Sequence, residues 1–201
     1  MDKKPWDVNH EFTEERLLVI AGILKQVRNR TVDLHDPSEG DAVWSLGCRV
    51  YERSINIIAR ETEKISWLRV IKKGLYFVML IEGVPIRFYR GEIENPTTRS
   101  LQRLYPEIEA QQCVFPFAKD QFEWFWRIVI ETDESGKVFR VVIAQFTESG
   151  NVRHQWTVPI SESFATITST IKRGREGVVL EKPIVELRKD NQKKAVGNDQ
   201  D

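Results

Sequence analysis

The chain is poor in several residue types that usually point to a chemistry. Its only cysteines, Cys48 and Cys113, stand 65 positions apart, which makes neither a disulfide framework nor a zinc ligand set. Cys48 falls within an apolar helical pattern, so a small buried thiol is expected there. Three histidines, His10, His35 and His154, lie in different segments without a partner at i+4, and no two imidazoles are placed to share a metal. His154, on a strand near Trp156, is expected to have a structural or surface role. Long apolar runs are missing too. The longest, LYFVMLI at 75–81, is of strand length and far below the roughly 18 residues of a membrane span. The opening residues, MDKKPWDVNHEFTEE, contain no apolar signal stretch. The expectation is a soluble cytoplasmic protein with no membrane contact.

Charge of one sign is also lacking. Thirty lysines and arginines balance thirty acids, which excludes coating nucleic acid by bulk charge and leaves only a local patch. Neither a GxxxxGK[ST] loop, nor a GxGxxG turn after a strand, nor a GxSxG nucleophile turn occurs. No cofactor and no catalytic residue is indicated. The enzyme reading that fits best is a metal-dependent nuclease using Glu82, Glu92, Glu131 and Asp133, acids at strand ends. Turns are where solvated acids are expected anyway, and the sequence leans away from catalysis.

What the chain does contain is enough material for a core. At 201 residues it can bury roughly 70% of its unfolded surface without staples. TEERLLVIAGILKQVRNR predicts a first helix with Thr13 as cap, acids at its start and arginines at its end. Leu17, Ile20, Ala21, Leu24 and Val27 form its apolar stripe. Asp36-Pro37-Ser38-Glu39 reads as a cap, a first-turn proline and a capping-box glutamate, predicting a second helix over about 37–62. Val43, Gly47, Val50, Tyr51, Ile55 and Ile58 are its expected buried face, with Trp44 and Cys48 beside it.

The period then changes to alternation. Strands are predicted near 67–72, 75–82 and 85–90, with turns at Lys73-Gly74 and Glu82-Gly83. The middle strand is nearly free of polar residues and is expected to be buried on both faces. NPTTRSLQRLYPEIEAQQ predicts a helix entered through Asn95-Pro96 and broken or kinked at Pro106. A second meander follows, with strands in FEWFWRIVIETD, GKVFRVVIAQFTE and NVRHQWTVPI joined at DESG and ESGN. Trp124, Trp126, Ile128 and Ile130 share one face of its first strand; Phe125, Arg127, Val129 and Glu131 share the other. A last helix from Ser161, an edge strand in GVVLEKPIVELRK at 177–189 broken by Pro183, and a disordered tail complete the outline.

The fold class is therefore α+β: an N-terminal helical pair, 1–62, on a mostly antiparallel sheet of about six strands built from two meanders with an intervening helix, 63–188, then a tail, 189–201. Helices and sheet are expected to form one domain.

One stretch, VPIRFYRGEIENPTTRSLQR at 84–103, gathers Arg87, Tyr89, Arg90, Arg99 and Arg103. Arginine beside tyrosine suits phosphate contacts and base stacking, and Arg99 and Arg103 share a face of the predicted helix 97–105, whose free N–H groups attract anions. The competing reading pairs Arg99 and Arg103 with Glu92, Glu94, Glu107 or Glu109. Between 172 and 194, eight basic residues, Lys172, Arg173 and Arg175 among them, face four acids. The functional expectation is a non-catalytic binding or accessory protein recognising nucleic acid through Arg87, Tyr89, Arg90, Arg99, Arg103, Lys172, Arg173 and Arg175. The alternative is a protein–protein adaptor or oligomer subunit anchored by aromatics such as Trp124 and Trp126.

Overall fold

The computed structural model describes residues 3–114 and 123–159. These belong to the unit Met1–Ile167; the last predicted helix, the edge strand, the tail and the basic segment from Lys172 lie outside the described residues. A short helix α1 (Pro5–Val8) precedes α2 (Glu14–Asp33), which starts where the sequence places it. Thr13 Oγ1 accepts the Arg16 N–H at 3.2 Å, and Glu14 and Glu15 face the positive helix start. All five residues of the predicted stripe are buried, joined by Arg28 and Thr31.

Helix α3 (Val43–Glu61) begins later than expected. Asp36 does cap, accepting the Ser38 N–H at 2.9 Å, but Pro37–Glu39 closes only a single 3-10 turn. Gly40, at φ +91°, takes the left-handed conformation that ends it. The chain re-enters a helix at Ala42, a cap without a side-chain acceptor. The buried face also differs. Leu46, Val50, Ser54, Ile58 and Glu61 turn inward, whereas Val43, Trp44, Gly47 and Cys48 are exposed. Neither Cys48 nor Cys113 is a buried thiol.

Among the described residues the sheet has six strands, β1 (Leu68–Lys72), β2 (Val78–Ile81), β3 (Val84–Arg90), β4 (Phe125–Thr132), β5 (Val138–Phe146) and β6 (Val152–Thr157), arranged in chain order. All pairings are antiparallel except β3 with β4, where Arg87 lies opposite Arg127 and Tyr89 opposite Val129. β2 is buried throughout, as its composition predicts, although it starts at Val78 because Gly74–Tyr76 makes a 3-10 turn. Glu82 and Gly83, at φ +47° and +88°, form a two-residue hairpin of the hand that matches strand twist.

A parallel pair needs a crossover, here two helices rather than one: α4 (Thr98–Leu101) and α5 (Tyr105–Val114). Pro106 does not interrupt a helix. It stands second in α5, inside the first turn, where its missing N–H costs nothing.

Helices α1, α2 and α3 cover one face of the sheet, α4 and α5 the other. Ile20 and Leu24 of α2 pack with Ile128 and Ile143, all fully buried. Each such side chain stabilises the fold by about 1.5–3 kcal/mol relative to exposure. The second face is smaller, built on Ile93, Leu101, Phe125, Val129, Val142 and Phe146.

Candidate functional site

The arginine run does not form one surface. Arg87 and Tyr89 point to the crossover face, Arg90 to the helical face, where it faces Arg28 of α2 closely enough that their repulsion, after burial, lowers the Arg28 guanidinium. Arg99 is exposed on α4, and Arg103 lies beyond that helix, in the link to α5, so the two do not share a helix face. α4 has only four residues, and its Thr97 cap already accepts the Ser100 N–H. Lys172, Arg173 and Arg175 lie outside the described residues.

Two of these arginines serve the fold. Arg87 Nη1 donates to the Gln102 carbonyl at 2.7 Å and stands 4.0 Å from Glu107 Oε2. Arg103 Nε donates to Glu148 Oε1 at 2.9 Å, with its guanidinium over the Phe125 ring. Glu107 does partner an arginine, but chiefly Arg127, one member of the mixed face of β4. Arg127 and Glu107 are 1% and 0% exposed. The guanidinium Nη1 donates to Glu107 Oε1 and to Trp126 O, Nη2 to Glu107 Oε2 at 3.2 Å, and Nε to Ser100 O at 3.0 Å. Burial works to lower the Arg127 pKa and Glu107 works to restore it. The arrangement is a buried clamp that fastens the crossover to the sheet. Tyr89 stands beside it with its hydroxyl buried and without a hydrogen-bond partner; burial pushes the phenol up to about 12. A charged residue amid the apolar alternation of β4 is the signal that marks this clamp.

The strand-end acids do not gather. Glu82 pairs with Arg16 at 2.8 Å at the β2–β3 turn, a strand length, about 20 Å, from Glu131 at the far end of β3's neighbour. Glu131 accepts from Arg140 and from the Ile93 N–H at 3.0 Å; Asp133 holds its own turn through Ser135 and Lys137. Among the described residues no three His, Cys, Asp or Glu side chains are grouped to hold a metal. No helix among them is long and apolar enough to cross a membrane.

The aromatic anchors also fall elsewhere. Trp126 is buried, edge-on to Phe12 at 5.1 Å, and Trp124 is half-buried. The widely exposed tryptophan is Trp44, 79% accessible at the start of α3. Trp44, Cys48, Tyr51 and Ile55 are spaced four, three and four residues apart, the seam along which helices pack. The Tyr51 hydroxyl donates to Leu75 O at 2.8 Å and accepts the Phe77 N–H at 3.3 Å. It thereby fixes the 74–76 turn against α3 and brings Leu75, 62% exposed, to the same face. A groove of about 480 Å³ runs between them, with Glu52 and Lys73 on its lining. Of the face that the sequence pattern assigns to the core, Val50 and Ile58 are buried and Tyr51 and Ile55 are half-buried against the core, while Val43 and Gly47 are exposed.

No family model, no curated protein and no solved structure matches the chain.

Proposed function

We propose that the protein is a non-catalytic binding protein that works as an assembled pair, two copies meeting along the outer face of α3. The supporting observation is the apolar seam Trp44–Cys48–Tyr51–Ile55 beside Leu75. Its spacing suits a helix as partner, and exposed apolar patches of this kind mark interaction sites. A second copy is the occupant favoured by charge. Glu52 and Lys73 line one groove, so a two-fold axis offers each acid a base from the other chain. A chain of zero formal net charge also carries no overall repulsion against its like.

Sedimentation velocity over a wide concentration range tests this. The wild type is expected to shift from monomer to dimer. Trp44→Glu, at an exposed site, weakens dimerisation by about thirty-fold or more, the cost of losing a central aromatic anchor. Glu52→Lys and Lys73→Glu each weaken it, and the two together restore it. A wild type that stays monomeric at every concentration overturns the proposal.

A second reading, recognition of nucleic acid, has one observation in its favour. The Arg153 guanidinium lies 5.3 Å from the centre of the Trp124 ring, an arginine–aromatic pair at the surface where a base can stack. Binding of this kind weakens steeply with salt, whereas an apolar seam does not.

A further inference from the structure

At the end of the sheet next to α1, Trp126, Gln145 and His154 stand opposite one another in a row across β4, β5 and β6. With Trp124, Arg153 and Lys3 they line a cleft of about 250 Å³. We propose that this cleft binds one nucleobase together with its phosphate, either as a free mononucleotide or as an unstacked base of a single strand. The proposal rests on the nucleic-acid reading and names the part of the ligand that is held.

Four features define that chemistry. The size comes first: the cleft falls below the roughly 300–1,000 Å³ of sites for drug-sized ligands, so it suits one ring system rather than a stacked run. Within a largely polar lining it carries two indoles, Trp124 and Trp126, side chains that suit a flat aromatic guest. Gln145 is 8% exposed, and its Oε1 has no hydrogen-bond partner. A buried amide oxygen left without a donor in a cleft is matched by the donor–acceptor edge of a base, the kind of edge that glutamine reads elsewhere.

The fourth feature is charge. Among the described residues, Lys3 and Arg153 face a single lining carboxylate, Asp7, which itself accepts the Lys4 N–H at 2.9 Å. The described lining thus carries one positive charge in excess, which suits a phosphate. His154 adds none at neutral pH, because burial, and then Arg153 and Lys3, lower its pKa. Arginine at the mouth provides the planar fork that phosphate oxygens fit.

Calorimetric titration of the full chain with a nucleoside monophosphate, the same nucleoside without phosphate, inorganic phosphate and a short single strand is the test. The monophosphate is expected to bind saturably, with nucleoside or phosphate alone weaker by about tenfold or more, since each forfeits one set of contacts. Arg153→Ala reduces the monophosphate to the nucleoside's affinity, and Trp124→Ala weakens both; near-UV circular dichroism checks that each variant is folded. If the strand binds but the mononucleotide does not, and Arg153→Ala and Trp124→Ala leave strand binding intact, the cleft proposal is overturned while the nucleic-acid reading stands. If nothing binds at low salt, both are overturned.

Discussion

Arg127 and Glu107 illustrate how a charged residue can belong to a core. Two ions taken out of water are held only because nearly every donor of the guanidinium has an acceptor, and removing one partner strands the other. Glu107→Ala is therefore expected to cost about 3–5 kcal/mol in urea unfolding. Replacing both residues at once, Arg127→Met with Glu107→Leu, should cost far less, since an apolar pair of similar volume carries no desolvation penalty. If the single and double variants lose equal stability, the clamp is not what fastens the crossover. Part of this was legible in the sequence. Alternation in β4 places Arg127 with Phe125 and Val129 on a face distinct from that of Trp126 and Ile128. The partner was not, because Glu107 lies 20 positions away, on a helix whose position depends on how the crossover folds back.

Among the elements, α3 departs furthest from its sequence pattern. Its apolar residues cover more than one face, and local periodicity cannot say which face meets the sheet. In the structure Leu46, Val50 and Ile58 go inward, Trp44 and Cys48 stay outside, and Tyr51 and Ile55 sit at the margin, half-buried against the core and lining the groove. The late start at Val43 leaves the helix without a side-chain cap at Ala42. Ala42→Ser supplies an acceptor for the first-turn N–H groups and is expected to raise stability by about 0.5–1 kcal/mol in thermal or urea unfolding. An unchanged midpoint would mean that the helix start is not limiting. By contrast α2, with Thr13 and its acids in place, followed the sequence signals from its first residue. Pro106 was misleading because the same residue ends one helix and suits the first turn of the next.

At the scale of the molecule, the strand count and most pairings could be read from turn chemistry, since Glu82-Gly83, DESG and ESGN each join neighbours. The parallel join of β3 to β4 could not, because no turn residue encodes which edges meet across a crossover. That join places Glu131 near the β3–α4 link, where it fastens Ile93 to the sheet with Arg140. Burial works to raise the Glu131 pKa, but the bonds from Arg140 and the Ile93 N–H outweigh it and hold the carboxyl below its ordinary 4.5. With the folded value depressed, the unfolded chain binds more protons in acid. The contribution is full above the ordinary value and is lost as pH falls through the folded one. Glu131→Gln is therefore expected to be less stable by roughly 1–2 kcal/mol at neutral pH. Its stability should also fall less steeply than the wild type's between about pH 5 and 3. Parallel slopes in urea midpoints across that range would remove Glu131 from the acid response.

The order of strands in the sheet is the order of the chain. During synthesis each new strand emerges to find its only earlier neighbour already made, and none has to be inserted between two others. The helices have the opposite experience. α2 leaves the ribosome before any strand and packs first on α3, but the part of its stripe that rests on β4 and β5 is not covered until the second meander is made. Between the completion of β3 and that of β5 that part of the stripe is apolar surface without its strands, the kind of surface that makes a nascent chain prone to association.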